Sequence, residues 1–567
     1  MTQVGDFPEK FFGLEASAER RVLGERLGVV IDGSLSKGLV VRADEPLLMK
    51  HLAEGVPVGA YVAVDGDTDR TFFGMITDVE LAYMNPQARW LSLGREFQRE
   101  VYLGTAFQCL FHVKLMLVLE RGVPKPVRSL PLHHAAVRRA TPDEVRALLS
   151  ADDRVGYRIG TALDDDQIEI WINLERLIER STGVFGRSGT GKTFLTLPLL
   201  AHVIRKGLAS VLIFDMHNDY GYTLKGDHSR KFKGLKQLAA ISSRIVIVTL
   251  DENSSRKRNA PYEFALQIGY NQIEPQDIEI LRTELSLSDV QVNALDALQR
   301  CARDRWFAEL LSDEPSEAVT QLLDSGKLSE STFAAMQRKL GKLRRFPFLK
   351  QSVSEDYVER ILKHLARGDS VVIEFGAYGN DLLAYLLVAN FLTRRIHQRY
   401  VEMKERAEGG SAPEPRPLVI AIEEAHKFLD PEIARQTIFG TIARELRKYN
   451  VTLLIVDQRP SQIDAEVMSQ LGTRITAALS DEKDIAAVLT GVSGAAELRN
   501  VLAALESKQQ VLILGHAVSM PVAVRTTEYG EAVYREFADP LAELSPEQQA
   551  EARRKLLGRR GLHDGVL

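Results

Sequence analysis

Gly183-Val184-Phe185-Gly186-Arg187-Ser188-Gly189-Thr190-Gly191-Lys192-Thr193-Phe194-Leu195 decides the fold: an apolar strand, a G-x-x-x-x-G-K-T loop and the opening of a helix. Glycines at 186, 189 and 191 let successive backbone N–H groups turn inward around phosphate oxygens. The helix starting near Lys192 aims the positive end of its dipole at the same anion. Gly186, Arg187, Ser188, Gly189, Thr190 and Gly191 are therefore the candidate phosphate cradle. Lys192 would reach the β- and γ-phosphates as a point charge, and the Thr193 hydroxyl would be a ligand of Mg²⁺. Phe194, Leu195, Leu197, Leu199 and Leu200 give the helix its apolar side, and Pro198 is expected to kink it. The pattern predicts a nucleotide-binding protein.

From about Arg158 onward, apolar strands alternate with helices, the sequence form of a parallel sheet with crossover helices. Beyond the strand feeding the loop, strands are expected at Val211–Asp215, Ile245–Val248, Val371–Phe375, Leu418–Ile422, Val451–Val456 and Val511–Leu514. Most are unbroken apolar runs, as strands covered on both faces require. Between about Gln272 and Arg345 apolar residues recur at helical spacing instead, so a helical subdomain interrupts the sheet. Before residue 130, short β-prone runs such as Gly28–Ile31, Gly38–Val41 and Tyr61–Val64, with Asp32-Gly33 and Asp65-Gly66 as turns, predict a small barrel or sandwich. Thr141-Pro142-Asp143-Glu144 reads as a capped helix start, bridging to the next domain. Ser545-Pro546-Glu547-Gln548 reads as another, carrying Arg553, Arg554, Lys555, Arg559 and Arg560.

Composition narrows the class. The chain has 567 residues, 45% of them hydrophobic, enough for several domains with a substantial core. With only Cys109 and Cys301, it offers neither a disulfide framework nor a cysteine-rich metal site. No run approaches the roughly 18 apolar residues of a membrane span, and no signal peptide is evident, so the expected location is cytoplasmic. The net charge of −5 means that any surface for nucleic acid must be local. His133-His134 lacks partners at metal-ligand spacing and reads as structural or surface.

Four further segments carry chemistry. Leu418-Val419-Ile420-Ala421-Ile422-Glu423-Glu424-Ala425-His426 is an apolar strand ending in two acids. After a phosphate loop, one carboxylate can support Mg²⁺ and the other can polarise an attacking water. Ala443-Arg444-Glu445-Leu446-Arg447-Lys448-Tyr449 is a basic helix that reads either as a solvated face or as the source of an arginine for a neighbouring subunit. The strand after it ends in Asp457-Gln458-Arg459-Pro460-Ser461, where the Gln458 amide can stand at the γ-phosphate. Ile213-Phe214-Asp215-Met216-His217-Asn218-Asp219-Tyr220 brings a carboxylate to the sheet edge, where Asp215 reads either as a support to the nucleotide site or as an ordinary turn residue.

With these segments in order, the chain resembles the HerA family of hexameric DNA-translocating ATPases, relatives of the FtsK-type pumps. The resemblance rests on GRSGTGKT at 186–193, IFDMHNDY at 213–220, IEEAH at 422–426, ARELRKY at 443–449 and DQRPSQID at 457–464. It implies a RecA-like P-loop NTPase of the α/β class with an N-terminal β-barrel and an inserted helical subdomain. The implied divisions are a barrel at 1–130 of the kind shared with rotary ATP synthases, a linker helix at 131–157 and a first motor part at 158–271. A helical insertion at 272–350, a second motor part at 351–530 and a C-terminal helical brace at 531–567 follow.

By position, the resemblance makes Glu424 the catalytic glutamate, Gln458 the γ-phosphate sensor, and Arg447, with Arg444 second, the finger acting in trans. Arg180 becomes a further nucleotide-site candidate by its place ahead of the loop. Glu423 stands where the family has Asp, and would meet Mg²⁺ with a longer reach. Leu446 replaces a common glycine.

The expected cofactors are ATP and Mg²⁺, and the expected assembly is a homo-hexamer around double-stranded DNA, with no membrane. Arg256-Lys257-Arg258, Arg344-Arg345 and Arg435 are candidates to meet phosphates in the channel. A partner nuclease (NurA-like) in end resection and repair, or an effector in antiphage defence, would complete the activity. The competing expectation is a nucleotide-gated ring scaffold that activates a bound effector. A conjugative or secretion-coupling ATPase is disfavoured by the lack of a membrane segment.

Overall fold

The computed structural model describes residues 24–44, 56–66, 69–84, 107–149, 154–225, 230–434, 437–445, 448–506 and 508–538. They form two compact units that divide near residue 145.

The first unit is built from β1 (Arg26–Ser34), β2 (Gly38–Ala43), β3 (Tyr61–Asp65), β4 (Arg70–Tyr83), β5 (Phe107–Glu120), β6 (Val123–Pro126) and β7 (Ala136–Arg139). Their order is β2-β1-β7-β3-β4-β5-β6, and β2 also pairs with β5, which closes a barrel and removes its open edges. Leu27, Val41, Val62, Phe72 and Phe111 fill the interior. The division expected at residue 130 falls short, because β7 lies beyond it and pairs with both β1 and β3 to close the ring. Asp32-Gly33 is not the turn: both residues sit in β1, opposite Val40 and Leu39, just past a register shift between Val30 and Asp32. The bulge absorbs the turn-like dipeptide, and the chain reverses at Leu35–Lys37. The capping box at Thr141 is present, with the Thr141 N–H donating to Glu144 Oε2 at 3.0 Å and the Glu144 N–H to Thr141 Oγ1 at 3.4 Å.

The second unit is a sheet covered by helices. Its strands are β8 (Gly156–Ala162), β9 (Glu169–Asn173), β10 (Thr182–Phe185), β11 (Ser210–Asp215), the hairpin β12 (Leu224–Lys225) and β13 (Lys231–Phe232), β14 (Ile245–Thr249), β15 (Phe264–Ala265), the pair β16 (Ile268–Gly269) and β17 (Leu349–Lys350), β18 (Ser370–Glu374), β19 (Leu418–Glu423), β20 (Val451–Asp457), β21 (Thr473–Ala477), β22 (Gln510–Gly515) and β23 (Val522–Thr526). The main sheet runs β15-β14-β18-β11-β19-β20-β10-β21-β22-β23-β8-β9. It is parallel from β15 to β21, whereas β22, β23, β8 and β9 add in antiparallel fashion, so the strand expected at 511–514 runs against its neighbour.

The insertion is helical, with Pro275–Glu279, Asp289–Ala302, Trp306–Leu311, Glu317–Asp324 and Glu330–Leu340 packed around buried Leu298, Trp306, Phe307, Met336 and Leu340. The Trp306 indole donates to the Ile273 carbonyl at 2.8 Å, which lets a polar ring be buried in an apolar core. Asp277, itself fully buried, receives Arg394 Nη1 at 2.8 Å and Arg395 Nη2 at 3.0 Å from the long helix Leu382–Glu408, and so locks the insertion to the motor. Among the described residues no helix is long and apolar enough to cross a membrane.

Candidate functional site

Strand order makes the site. β11, β19, β20 and β10 are consecutive neighbours, all parallel, so the segments after them emerge along one edge of the sheet although they lie far apart in sequence. Register keeps the ends level: Phe185 pairs with Asp457, Glu423 with Val456 and Phe214 with Ile422. The carboxyl edge of parallel strands is where α/β proteins bind ligands.

After β10 the loop turns on Gly189 and Gly191, at φ +79° and +88°, where a side chain would be strained. A Cβ on Gly186 would come 2.7 Å from Thr190 Oγ1. Thr190 braces the loop by donating to the Arg187 carbonyl at 2.8 Å. Lys192 opens the helix Lys192–Lys206, and its Nζ donates to the carbonyls of Gly186 at 2.8 Å and Arg187 at 3.2 Å. The helix N-cap is Gly191, with no side-chain cap, so its first N–H groups are left for another partner. Pro198 lies inside this helix, which continues through it as one element. Burial lowers the Lys192 pKa, opposed by the nearby Glu424, Asp457 and Glu423 carboxylates. Lys192→Ala is expected to weaken nucleotide binding at least about tenfold, the worth of a charge-assisted hydrogen bond. Titration with a fluorescent ATP analogue checks this.

Glu423 and Glu424 point to different chemistry. Glu423 is buried, its Oε1 accepts the Tyr220 hydroxyl at 3.1 Å, and its backbone is gripped by the Tyr385 hydroxyl, which donates to the Glu423 carbonyl at 2.8 Å. Burial pushes the Glu423 carboxyl up to about 7, against the pull of the Tyr220 hydroxyl. Its Oε2 is buried with no hydrogen-bond partner among the described residues, an acceptor beside the loop that fits the support of a cation together with the Thr193 hydroxyl. Glu424 holds φ +49°, a conformation costing a glutamate about 1 kcal/mol or more. Its carboxylate accepts the Gln458 amide at 3.1 and 3.3 Å. Held thus at the mouth of the cavity, it can take a proton from a water.

Sequence reasoning missed the scaffold behind this pair. Asp457 is buried and accepts the His426 N–H at 2.7 Å, His426 Nδ1 at 2.9 Å and the Arg459 N–H at 2.7 Å. Burial would raise the Asp457 pKa, but these hydrogen bonds outweigh it and hold the carboxyl below its usual range. The staple fixes the turn carrying Glu424 to the strand carrying Gln458. Its signals were the acid directly before the glutamine and the histidine closing IEEAH, neither of them read as a pair. Tyr220 closed the quoted IFDMHNDY run without a role, and Tyr385 gave no signal.

One cavity of about 840 Å³ takes in Ser188–Thr193, Glu423, Glu424 and Gln458. Other expected residues lie elsewhere. Asp215 is spent on its own turn, accepting the N–H groups of Asp219, Tyr220 and Gly221 at 2.8, 2.9 and 3.3 Å, and it is Asp219 and His217 that reach the cavity. Arg180 precedes β10 and stands at the opposite edge of the sheet, packed against Gly472. The Arg187 guanidinium turns to Ser480, at 3.2 Å. Arg444, on the helix Ile438–Glu445, donates to the Ala434 carbonyl at 3.1 Å and is not among the residues around the cavity. Arg447 and Arg435 lie outside the described residues, as does the basic run 553–560. Arg258 is held by buried Glu374 at 2.6 Å, Arg345 by Asp381 at 2.5 Å and Arg344 by Asp313 at 3.7 Å. His133 and His134 are exposed.

A phosphate loop between a parallel strand and a helix, with a paired-acid strand and a glutamine on the neighbouring strand ends, defines a P-loop ATPase. Residues 157–396 match the family model described as helicase HerA, central domain. Two curated relatives extend the match: the DNA double-strand break repair helicase HerA of Sulfolobus acidocaldarius, 24% identical over 84% of this chain and 90% of its own, and that of Pyrococcus furiosus, 23% identical over 76% and 79%. The chain is a P-loop ATPase whose central region is similar to that of helicase HerA. Among solved structures, VirB4 of Thermoanaerobacter pseudethanolicus aligns with a TM-score of 0.43 and 13% identity, over 67% of this chain and 98% of that one.

Proposed function

We propose that this chain is the subunit of a homo-hexameric, ATP-driven translocase or helicase acting on double-stranded DNA in the cytoplasm. The observation that carries the reading is the strained Glu424, held by Gln458 in the same cavity as the phosphate loop. In this reading the loop N–H groups and Lys192 bind the phosphates, and Thr193 and Glu423 hold Mg²⁺. The metal would neutralise charge on the phosphate oxygens. Glu424 receives the proton of the attacking water, and Gln458 orients that carboxylate and senses the γ-phosphate. Arg447, or Arg444, reaches the nucleotide of the neighbouring subunit.

DNA as the track is supported by the names of the relatives. Of the candidate basic residues on the helix Glu252–Arg258, Arg256 and Lys257 are exposed and remain candidates to meet phosphate, whereas Arg258 is engaged by Glu374. A separate nuclease in end resection, or an effector in antiphage defence, would act together with the motor. A second reading, a nucleotide-gated ring scaffold with little translocation, is favoured by the buried Glu423 standing in the usual Asp position.

ATP turnover of the purified protein, with and without linear double-stranded DNA and with particle mass recorded, separates the two. A ring-sized particle whose turnover rises on adding DNA is the expected result. Turnover indifferent to DNA on such a particle would exclude the motor for the isolated protein and leave the scaffold.

A further inference from the structure

Part of the cavity wall is aromatic. Beyond Lys192 and Thr193 the cavity is bounded by Phe194, Leu224, Phe232 and Tyr529, with Gln509 and Thr527 on its polar side. The ring centroids of Phe194 and Phe232 are 4.6 Å apart, and Tyr529 lies 6.1 Å from the first and 6.4 Å from the second. Three features make this a built wall. Tyr529 is 3% exposed and its hydroxyl donates to the Lys233 carbonyl at 2.6 Å, which fixes its ring. Arg230 stands 5.1 Å from the centre of the Phe232 ring while pairing with Glu528 at 2.8 Å, so the β12–β13 hairpin is tied to the segment after β23. Phe194 and Phe232 are half-buried: both rings face the cavity instead of being closed over as core.

Phe194 follows Lys192 by two residues, so the wall begins where the phosphate cradle stops. A volume of about 840 Å³ is far more than a phosphate chain fills and lies in the range of sites for a whole nucleotide. With the phosphates anchored on the loop, the other end of a nucleotide must lie along the remaining cavity. There a flat, polarisable ring finds aromatic faces, and aromatic pairs gain from offset or tilted contact.

We propose that Phe194, Phe232 and Tyr529 form a nucleobase subsite that takes the purine of a nucleoside triphosphate, with the Arg230–Glu528 ion pair as its outer rim. The proposal rests on the reading of residues 186–193 as a phosphate site and adds a second, independent anchor for the nucleotide.

Isothermal titration of the full chain with Mg²⁺ and either a non-hydrolysable ATP analogue or inorganic tripolyphosphate tests it, using wild type, Phe232→Ala and Phe232→Tyr. Stacking of a base on an aromatic side chain corresponds to about 5- to 150-fold in affinity. Phe232→Ala is therefore expected to weaken the ATP analogue within that range and leave tripolyphosphate unchanged, while Phe232→Tyr restores nucleotide binding. An alanine variant that loses both ligands equally, or neither, overturns the subsite. If wild type binds neither the analogue nor tripolyphosphate, the phosphate-site reading itself fails and the subsite falls with it.

Discussion

Glu424→Gln is expected to lower ATP turnover by about 10²- to 10⁴-fold while leaving nucleotide affinity nearly unchanged. The two side chains have the same shape, so the turn at φ +49° and its staple through His426 and Asp457 should persist. What is lost is the acceptor: an amide cannot take a proton from water. The Gln458 amide, which now donates to that carboxylate, still finds an amide oxygen to bond. Single-turnover hydrolysis alongside equilibrium binding measures both quantities in one preparation. A fall in turnover of less than about tenfold would assign proton transfer to another group.

Asp277→Ala is expected to cost about 3–5 kcal/mol of local stability, because it strands two guanidinium groups that share one buried carboxylate. Arg394 keeps a second partner in Glu274 at 2.6 Å, and Arg395 keeps the carbonyls of Gln272 and Phe391, so what is lost is the neutralising carboxylate between the two guanidinium groups. The effect should concentrate in the insertion, where Trp306 and Phe307 are packed, and leave the phosphate loop intact. Hydrogen exchange across 289–311, compared with exchange across 182–206, reports it. Equal loss of protection in both segments, or a cost below about 1 kcal/mol, would contradict a lock confined to the insertion.

Much of this was legible because the signals were local. A phosphate loop is one contiguous turn, and the apolar runs at 211–215, 418–422 and 451–456 could only be buried strands. β21 escaped notice because Thr473, Arg474 and Thr476 look solvent-loving, yet all three are buried. Arg474 lives there by donating to the carbonyls of Val488 and Thr490 at 2.7 Å and Met468 at 2.5 Å, and burial pushes its pKa down to about 10. Antiparallel pairing past β21 left no mark either, since direction is a property of the connection.

In the site, the residues were readable but their meeting was not. Tyr220 reaches Glu423 across 203 positions of sequence, a relation set by strand order alone. Of the two readings left open for Asp215, the geometry favours the turn: the N–H groups of Asp219, Tyr220 and Gly221 bond its carboxylate. Arg180 precedes the feeding strand, and a strand carries its two ends to opposite edges of a sheet.

One pairing in the sheet governs how the molecule is born. β8, which precedes the phosphate loop, takes its neighbour from β23, and the Arg525 guanidinium bonds the Leu163 carbonyl 362 positions earlier. β10 likewise waits for β20 and β21 on either side. A ribosome adding about 5–20 residues per second needs roughly 14–55 s between completing β10 and completing β20. Through that interval the phosphate-loop strand has neither sheet neighbour, so ATP binding can begin only when synthesis of the motor is nearly complete. Nascent chains stalled before residue 450 are then clients for chaperones.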